Sequence, residues 1–423
     1  MNTNYQIVIV GGGNAGIVVA AKLLRKNSKL DIAIIEPSEK HYYQPAMTLV
    51  GAGIFDIRKT VRKEKDIIPK KVTWIKETVE TFNPHNNTLT CVGGKKFAYQ
   101  YLVVCPGIQL DWNKIKGGKE TLGLNNVSSN YAFESATKTW EFIKNFKGGT
   151  AVFTNPSTPI KCGGAPHKIM YLACDYWRKK GILEQCDVHY ISGASVIFGV
   201  PEYAETLKKV LSKYGINVHF GANVIAINGA DKTIEFETKD INEKLSEKIS
   251  NSSAACYGIV DNNDEGLKKV TLHFDMCHFV PPQSAPDFIK NSPLRDPNNA
   301  LGYVEIDKNS MQHTRFPNVF ALGDCINAPC SKTGAAIRKQ APVVVANLLA
   351  MLSKIPITDS YDGYSACPIP TQYGKLMLAE FDYSNKPKMT FPIDQTKPNW
   401  AMWILKTKVL PWLYWNKILK GTA

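Results

Sequence analysis

The sequence predicts an α/β protein built from two Rossmann-like units, followed by a C-terminal segment suited to a membrane interface. Three observations carry that expectation. A strand, a glycine turn, a helix and a second strand follow one another from Tyr5 to Glu36. A second alternation of strands and helices runs from Gly149 to Ile227, with no second glycine fingerprint. Tryptophans and lysines crowd the tail from Trp400 to Lys420.

Ile7 to Val10 is an unbroken β-branched run, as in a strand covered on both faces. Gly11 allows a sharp turn, Gly13 a close approach to a pyrophosphate, and Gly16 tight packing of helix on strand. The helix that follows offers its free N–H groups to phosphate. Ile32 to Ile35 then ends in Glu36, where a ribose hydroxyl needs an acceptor.

The composition is that of a soluble globular chain with a formal net charge of +14. Such a charge fits nucleic acid, an anionic lipid surface or a small anionic ligand. The lysines are too scattered for a nucleic-acid patch, so nucleic acid is not expected. The chain enters its first core strand within its first block of residues, so no signal peptide is expected. No run reaches the roughly 18 apolar residues of a transmembrane helix. The ten cysteines form no Cys-x-x-Cys pair, which argues against a structural zinc site.

In chain order, strands are expected at 71–75, 79–82, 88–91 and 97–105, the last ending in Cys105-Pro106-Gly107. A helix follows over 136–146 and a strand over 149–154. The loop after that strand reads Asn155 to Pro166, with prolines and Cys162 where a second pyrophosphate cradle would sit, so one dinucleotide is expected. Helices over 167–180 and 202–214 alternate with strands at 188–192, 218–220 and 224–227, and Cys174 reads as core packing. Residues 240–265 read as an exposed, partly disordered polar insertion in a hairpin. A buried strand then delivers Gly323-Asp324 to a helix start, and a helix spans 334–352. Residues 361–383 form a distinct aromatic segment. The tail holds Trp400, Trp403, Trp412 and Trp415 with Lys406, Lys408, Lys417 and Lys420, and Pro411 opens a second short helix. That pattern suits two in-plane interfacial helices on an anionic membrane, or else a contact between copies of the chain. The domains are therefore expected at 1–112 with 278–360, at 113–277, and at 361–423.

Two cysteines stand out by position. Cys162 lies between Lys161 and a helix start, with Lys168 beyond, and positive charge favours a thiolate. Cys325 follows Asp324 and precedes another helix. Both sit on loops at the carboxyl ends of strands, where open α/β sheets bind ligands, and could form a redox pair. Cys330 and then Cys105 are the rival partners.

The chain resembles the sulfide:quinone oxidoreductases, most of all their mitochondrial-type branch. The resemblance rests on Glu36-Pro37-Ser38 with Gln44-Pro45, residues 48–53, Lys161-Cys162-Gly163-Gly164-Ala165-Pro166, Val280-Pro281-Pro282, Gly323-Asp324-Cys325, Ser331-Lys332-Thr333 and Leu378 to Tyr383. It implies two dinucleotide-binding domains of the FAD-dependent disulfide-reductase type. FAD would be held by Gly11, Gly13, Asn14, Ala15, Gly16, Glu36, Gln44, Val79, Gly107, Gly323 and Asp324, with Asp287 and Lys332 as further contacts. Cys162 and Cys325 would form the redox disulfide, opened by hydrogen sulfide to leave a persulfide on Cys325. The sulfane sulfur would pass to sulfite, a thiol or sulfide, and the electrons through flavin to ubiquinone or another membrane quinone. The protein would lie peripherally on the mitochondrial inner membrane, if a presequence is missing, or on the cytoplasmic face of a bacterial cell membrane. The competing readings are an NADH:quinone dehydrogenase, which needs the absent second fingerprint, and a flavin-binding protein without turnover.

Overall fold

The computed structural model describes residues 3–239, 257–262 and 266–423. The first sheet forms around β1 (Asn4–Val10), whose Ile7, Val8 and Ile9 are completely buried. Helix α1 (Asn14–Lys26) carries the chain across to β2 (Ile32–Ile35), parallel to β1. A small antiparallel hairpin, β3 (Lys40–Tyr42) and β4 (Val61–Lys63), flanks the short helix α2 (Met47–Gly51). β5 (Thr73–Ile75) extends the parallel edge beside β2. β6 (Val79–Asn83), β7 (Thr88–Cys91) and β8 (Lys96–Val104) make the expected antiparallel meander, and β8 returns parallel to β1. The two-residue strand β9 (Gln109–Leu110) leads out of this sheet.

The second sheet uses β10 (Val127–Ser128), β11 (Gly149–Asn155), β12 (Cys186–Ser192) and β13 (Asn217–Phe220). They are connected by α3 (Phe133–Asn145), α4 (Ala165–Lys179) and α5 (Pro201–Lys213). β14 (Asn223–Asn228), β15 (Thr233–Thr238), β16 (Tyr257–Asn262) and β17 (Lys268–His273) form a separate antiparallel sheet. Of the expected polar insertion at 240–265, Tyr257–Asn262 is therefore an edge strand; the rest lies outside the described residues. β18 (Met276–His278) inserts between β10 and β11, completing a wholly parallel five-stranded sheet.

β19 (Gln283–Ser284) pairs with β9, and a single helical turn, α6 (Asp287–Lys290), follows. β20 (Val319–Ala321) then joins the first sheet parallel to β8. The Gly-Asp pair after it occupies a 3₁₀ turn, Gly323–Cys325, and not a helix start. The helix α7 (Gly334–Leu352) begins later, capped by the Thr333 hydroxyl, which accepts from the Ala336 N–H at 3.1 Å. Among the described residues α7 has the length and apolarity to cross a membrane. Half of that stretch is buried and it packs on α1, as a core helix does.

The aromatic segment is an antiparallel hairpin, β21 (Ser365–Gln372) and β22 (Lys375–Phe381), with Cys367 and Ile369 fully buried. The tail differs from the two expected helices. α8 (Trp400–Ile404), a π stretch (Leu405–Val409), α9 (Leu410–Leu413) and a second π stretch (Tyr414–Ile418) run on as one helical rod. Pro411 stands within the rod, just beyond the first π stretch. Trp400 and Trp412 are exposed, whereas Trp415 and Lys406 are buried against the body.

Candidate functional site

The glycine turn after β1 shows three distinct environments. Gly11 has φ +108, and a Cβ there would lie 2.5 Å from the Cys105 carbonyl oxygen. A Cβ on Gly16 would lie 1.9 Å from the Gly11 oxygen. Gly13 faces open space, so a ligand backbone can come close there. The buried Asn14 Oδ1 has no protein partner, and Ala15 is buried beneath Gly323. Glu36 accepts from the Gly12 N–H at 2.7 Å and the Ser38 N–H at 2.8 Å, and burial pushes its carboxyl pKa upward. An orphaned amide oxygen, an open glycine and a carboxylate at one turn fit the pyrophosphate and ribose of a dinucleotide.

The remaining expected cofactor contacts divide. Asp324 is pushed up in pKa by burial, offset by Lys332 and Lys161. Lys332 donates to the carbonyls of Asp324 (2.7 Å) and Ile326 (3.1 Å), so its side chain braces the Gly323 turn. Gln44 accepts from Lys161 at 2.5 Å, which ties the loop after β3 to the Cys162 loop. Val79 is a buried residue of β6, and Gly107 holds φ +83 with open space above it. Asp287 is the exception: it is an exposed carboxylate paired with Lys290 at 2.8 Å and bonded to Gln109. Its bonds are made at the surface.

The two cysteines expected to pair have different surroundings. Cys162 stands just before α4 with φ +57, a left-handed conformation unusual for a residue with a side chain. Its N–H donates to the Lys332 carbonyl at 2.7 Å and its carbonyl accepts from Ala165 at 2.7 Å, so the strained turn is held from both sides. Its sulfur neighbours the Cys367 thiol, and the two act strongly on each other's acidity. Lys168 donates to Cys162 Sγ at 2.8 Å. The Cys367 hydrogen bond is the largest cause that drives the Cys162 pKa well below the ordinary value; burial opposes it, and Lys168 and Lys406 add to it. Cys367 moves the other way, well up, chiefly because its hydrogen bond to Cys162 keeps it protonated. Ser331 Oγ lies 3.9 Å from Cys367 Sγ.

Cys325 lies in a different layer. Its sulfur points at the carbonyls of Val104 and Leu322, both at 3.5 Å, within the core of the first sheet. Burial pushes its pKa up to about 12. Cys105 is its thiol neighbour and is likewise raised by burial. Cys330 accepts from Gln340 at 3.5 Å and is raised by burial as well. Cys174 is core packing, fully buried and raised by burial.

Two residues of this site escaped sequence reasoning. Cys367 sits in β21, within the segment read only as aromatic; its signal was a cysteine on the strand that leads by a short turn into the Leu378–Tyr383 motif. Lys406 was expected at the membrane surface. Instead it is 5% exposed, donates to the Pro45 carbonyl at 2.8 Å, and lies beside Lys168 and both cysteines. Burial, then the Lys168 charge, lower its pKa to about 7.

Residues 5–273 match the family described as pyridine nucleotide-disulphide oxidoreductase. The chain is 44% identical over 418 residues to the mitochondrial sulfide:quinone oxidoreductase of Dictyostelium discoideum, covering 98% of this chain and 86% of that one. It is 38% identical over 419 residues to the mitochondrial sulfide:quinone oxidoreductase of Mus musculus, covering 99% and 87%. The solved sulfide:quinone oxidoreductase of Aquifex aeolicus shares the fold, with a TM-score of 0.76 at 19% identity over 99% of this chain and 92% of that one.

Proposed function

The chain belongs to the sulfide:quinone oxidoreductase family, within the pyridine nucleotide-disulphide oxidoreductases, and from that premise we propose how its own residues perform the reaction. It is a flavin-dependent oxidoreductase that takes electrons from sulfide and gives them to quinone. The observation that carries the mechanism is the meeting of Cys162 and Cys367 beside Lys168.

The working oxidised form is a Cys162–Cys367 disulfide. Hydrosulfide attacks Cys367 Sγ, the S–S bond breaks, and Cys162 leaves as the thiolate. The direction follows from acidity, because the sulfur with the lower pKa is the better leaving group. Lys168 receives that thiolate in a 2.8 Å hydrogen bond. The product is a persulfide on Cys367, whose terminal sulfur passes to sulfite, a thiol or a second sulfide. Ser331 and the Lys332 carbonyl position the two cysteines relative to the Gly323 turn. The flavin is FAD, with the fingerprint glycines, Asn14, Ala15 and Glu36 holding its nucleotide and Gln44, Asp324 and Lys332 bracing the loops around it. Once the sulfane sulfur has left, the Cys162–Cys367 disulfide re-forms; bound FAD would supply the acceptor for the two electrons this releases and the donor for quinone.

The tail fits a peripheral mitochondrial membrane protein. Exposed Trp400, Val409 and Trp412 present apolar surface, and Lys408, Lys417 and Lys420 present charge to anionic lipid. The NADH reading lacks support, since the loop after β11 contains no glycine fingerprint and carries Cys162 instead. The test is anaerobic stopped-flow absorbance. Sulfide is expected to bleach the flavin within the dead time or shortly after, and a soluble ubiquinone analogue to restore it. Bleaching by NADH with no response to sulfide would overturn the assignment.

A further inference from the structure

The hairpin of β3 and β4 does more than fill space beside the glycine turn. Glu64, directly after β4, is 1% exposed, and its Oε1 has no hydrogen-bond partner in the protein. That oxygen would lie 2.9 Å from a Cβ on Gly12, the same point at which Glu36 Cγ would lie at 2.7 Å. Two carboxylates therefore converge on the fingerprint turn, one with a lone pair set unspent. A buried carboxylate oxygen left without a donor is costly unless something outside the chain supplies one.

The other Glu64 oxygen is engaged. Glu64 Oε2 lies 3.2 Å from His41 Nδ1, and His41 Nε2 lies 2.7 Å from the Tyr414 hydroxyl. His41 thus stands between the Glu64 carboxylate and the Tyr414 hydroxyl, one ring nitrogen turned to each. His41 and Tyr414 are themselves buried. Around them the C-terminal rod is clamped onto the hairpin: the Tyr414 ring packs on Tyr43 with centroids 4.6 Å apart, and the Arg62 guanidinium lies 4.2 Å over the Trp415 ring. A line of close polar contacts thus runs from the tail through His41 to Glu64 beside the nucleotide turn.

We propose that Glu64 is a second carboxylate acceptor for the adenosine ribose of the bound dinucleotide, and that Tyr414, His41 and Glu64 link its retention to the seating of the C-terminal helix. The inference rests on the FAD reading above. Glu36 and Glu64 share the two ribose hydroxyls, and His41 fixes the Glu64 carboxylate so that Oε1 faces the ligand. Tyr414 fixes His41. Linkage is reciprocal, so FAD must hold the tail as firmly as the tail holds FAD.

The test measures FAD affinity on flavin-stripped full-length protein by recovery of bound-flavin fluorescence, for wild type, Tyr414→Phe, Glu64→Gln and the double variant. The expected loss is about tenfold for Glu64→Gln and about fivefold for Tyr414→Phe. The double variant loses no more than Glu64→Gln alone, because both act through one line. In wild type, removing FAD raises the rate of protease cleavage within the tail several-fold, and Tyr414→Phe abolishes that difference. Tyr414→Phe keeps the ring packing and decides the matter if Glu64→Gln fails to fold. Wild-type FAD affinity in Tyr414→Phe, or strictly additive losses, overturns the proposal. Chromatography of the flavin released by acid separates the two failures: FMN, or no flavin, defeats the dinucleotide reading itself, whatever the variants show.

Discussion

Cys162 and Cys325 sit in turns of one general kind, each beyond the carboxyl end of a parallel strand, yet their sulfurs meet opposite surroundings. Cys162 faces Cys367, Lys168 and Lys406. Cys325 faces two backbone carbonyls and the Cys105 thiol. At Cys325 burial outweighs the opposing Lys332 charge and raises the thiol pKa; at Cys162 the Cys367 thiol with Lys168 and Lys406 outweighs burial and lowers it. Position at a strand end brings both cysteines to the ligand face, but the charges around the sulfur decide which one does chemistry.

The largest expected effect separates the two regions kinetically. Cys162→Ser and Cys367→Ser each slow flavin reduction by sulfide at least roughly a thousandfold, because each removes a member of the exchanging pair. Cys325→Ser stays within about threefold in the same stopped-flow assay, provided it folds. A thousandfold loss in Cys325→Ser with full activity in Cys367→Ser would restore the pairing expected from position.

The next effect sharpens the electrostatic part. In reduced protein, alkylation of Cys162 by iodoacetamide has a pH midpoint well below the ordinary cysteine range, while Cys325 stays unreactive until unfolding. Lys168→Met moves the Cys162 midpoint upward and slows alkylation at neutral pH by about tenfold or more. Peptide mass spectrometry of the labelled sites reads both. An unchanged midpoint would remove Lys168 from the account.

A smaller effect concerns Lys406, a charge that only the Cys162 region has. Its folded pKa of about 7 lies below the ordinary lysine value, so the folded state binds fewer protons than the unfolded state between those two values. Its burden on stability is therefore full below about pH 7 and is relieved as pH rises above it. The stability of wild type relative to Lys406→Met should rise from pH 7 to pH 9 by on the order of 1–2 kcal/mol, read as a shift in urea midpoint. A flat difference would place Lys406 in solvent. The smallest effect is Cys325→Ala, which leaves a small cavity and lowers folding stability by about 1–2 kcal/mol with little change in turnover.

The nucleotide half of the site was legible in the sequence because it is local. Gly11, Gly13, Gly16 and Glu36 belong to one βαβ unit, where spacing alone fixes what faces what. The sulfur half was not, because Cys367 reaches Cys162 only when the β21–β22 hairpin folds onto α4. No spacing rule links two such distant segments, and the hairpin's tyrosines masked the cysteine among them. Lys406 was misplaced for a similar reason. A lysine in a tryptophan-rich helix reads as interfacial, but the π stretch Leu405–Val409 carries this one on the face turned to the body.

The most direct measurement is the location of the first sulfur added. Oxidised protein is mixed with one equivalent of isotopically labelled sulfide, quenched with an alkylating agent in acid, and digested for mass spectrometry. The account predicts the labelled persulfide on Cys367 and an alkylated thiol on Cys162. A labelled persulfide on Cys325, or Cys367 recovered unmodified while the flavin is reduced, would contradict it.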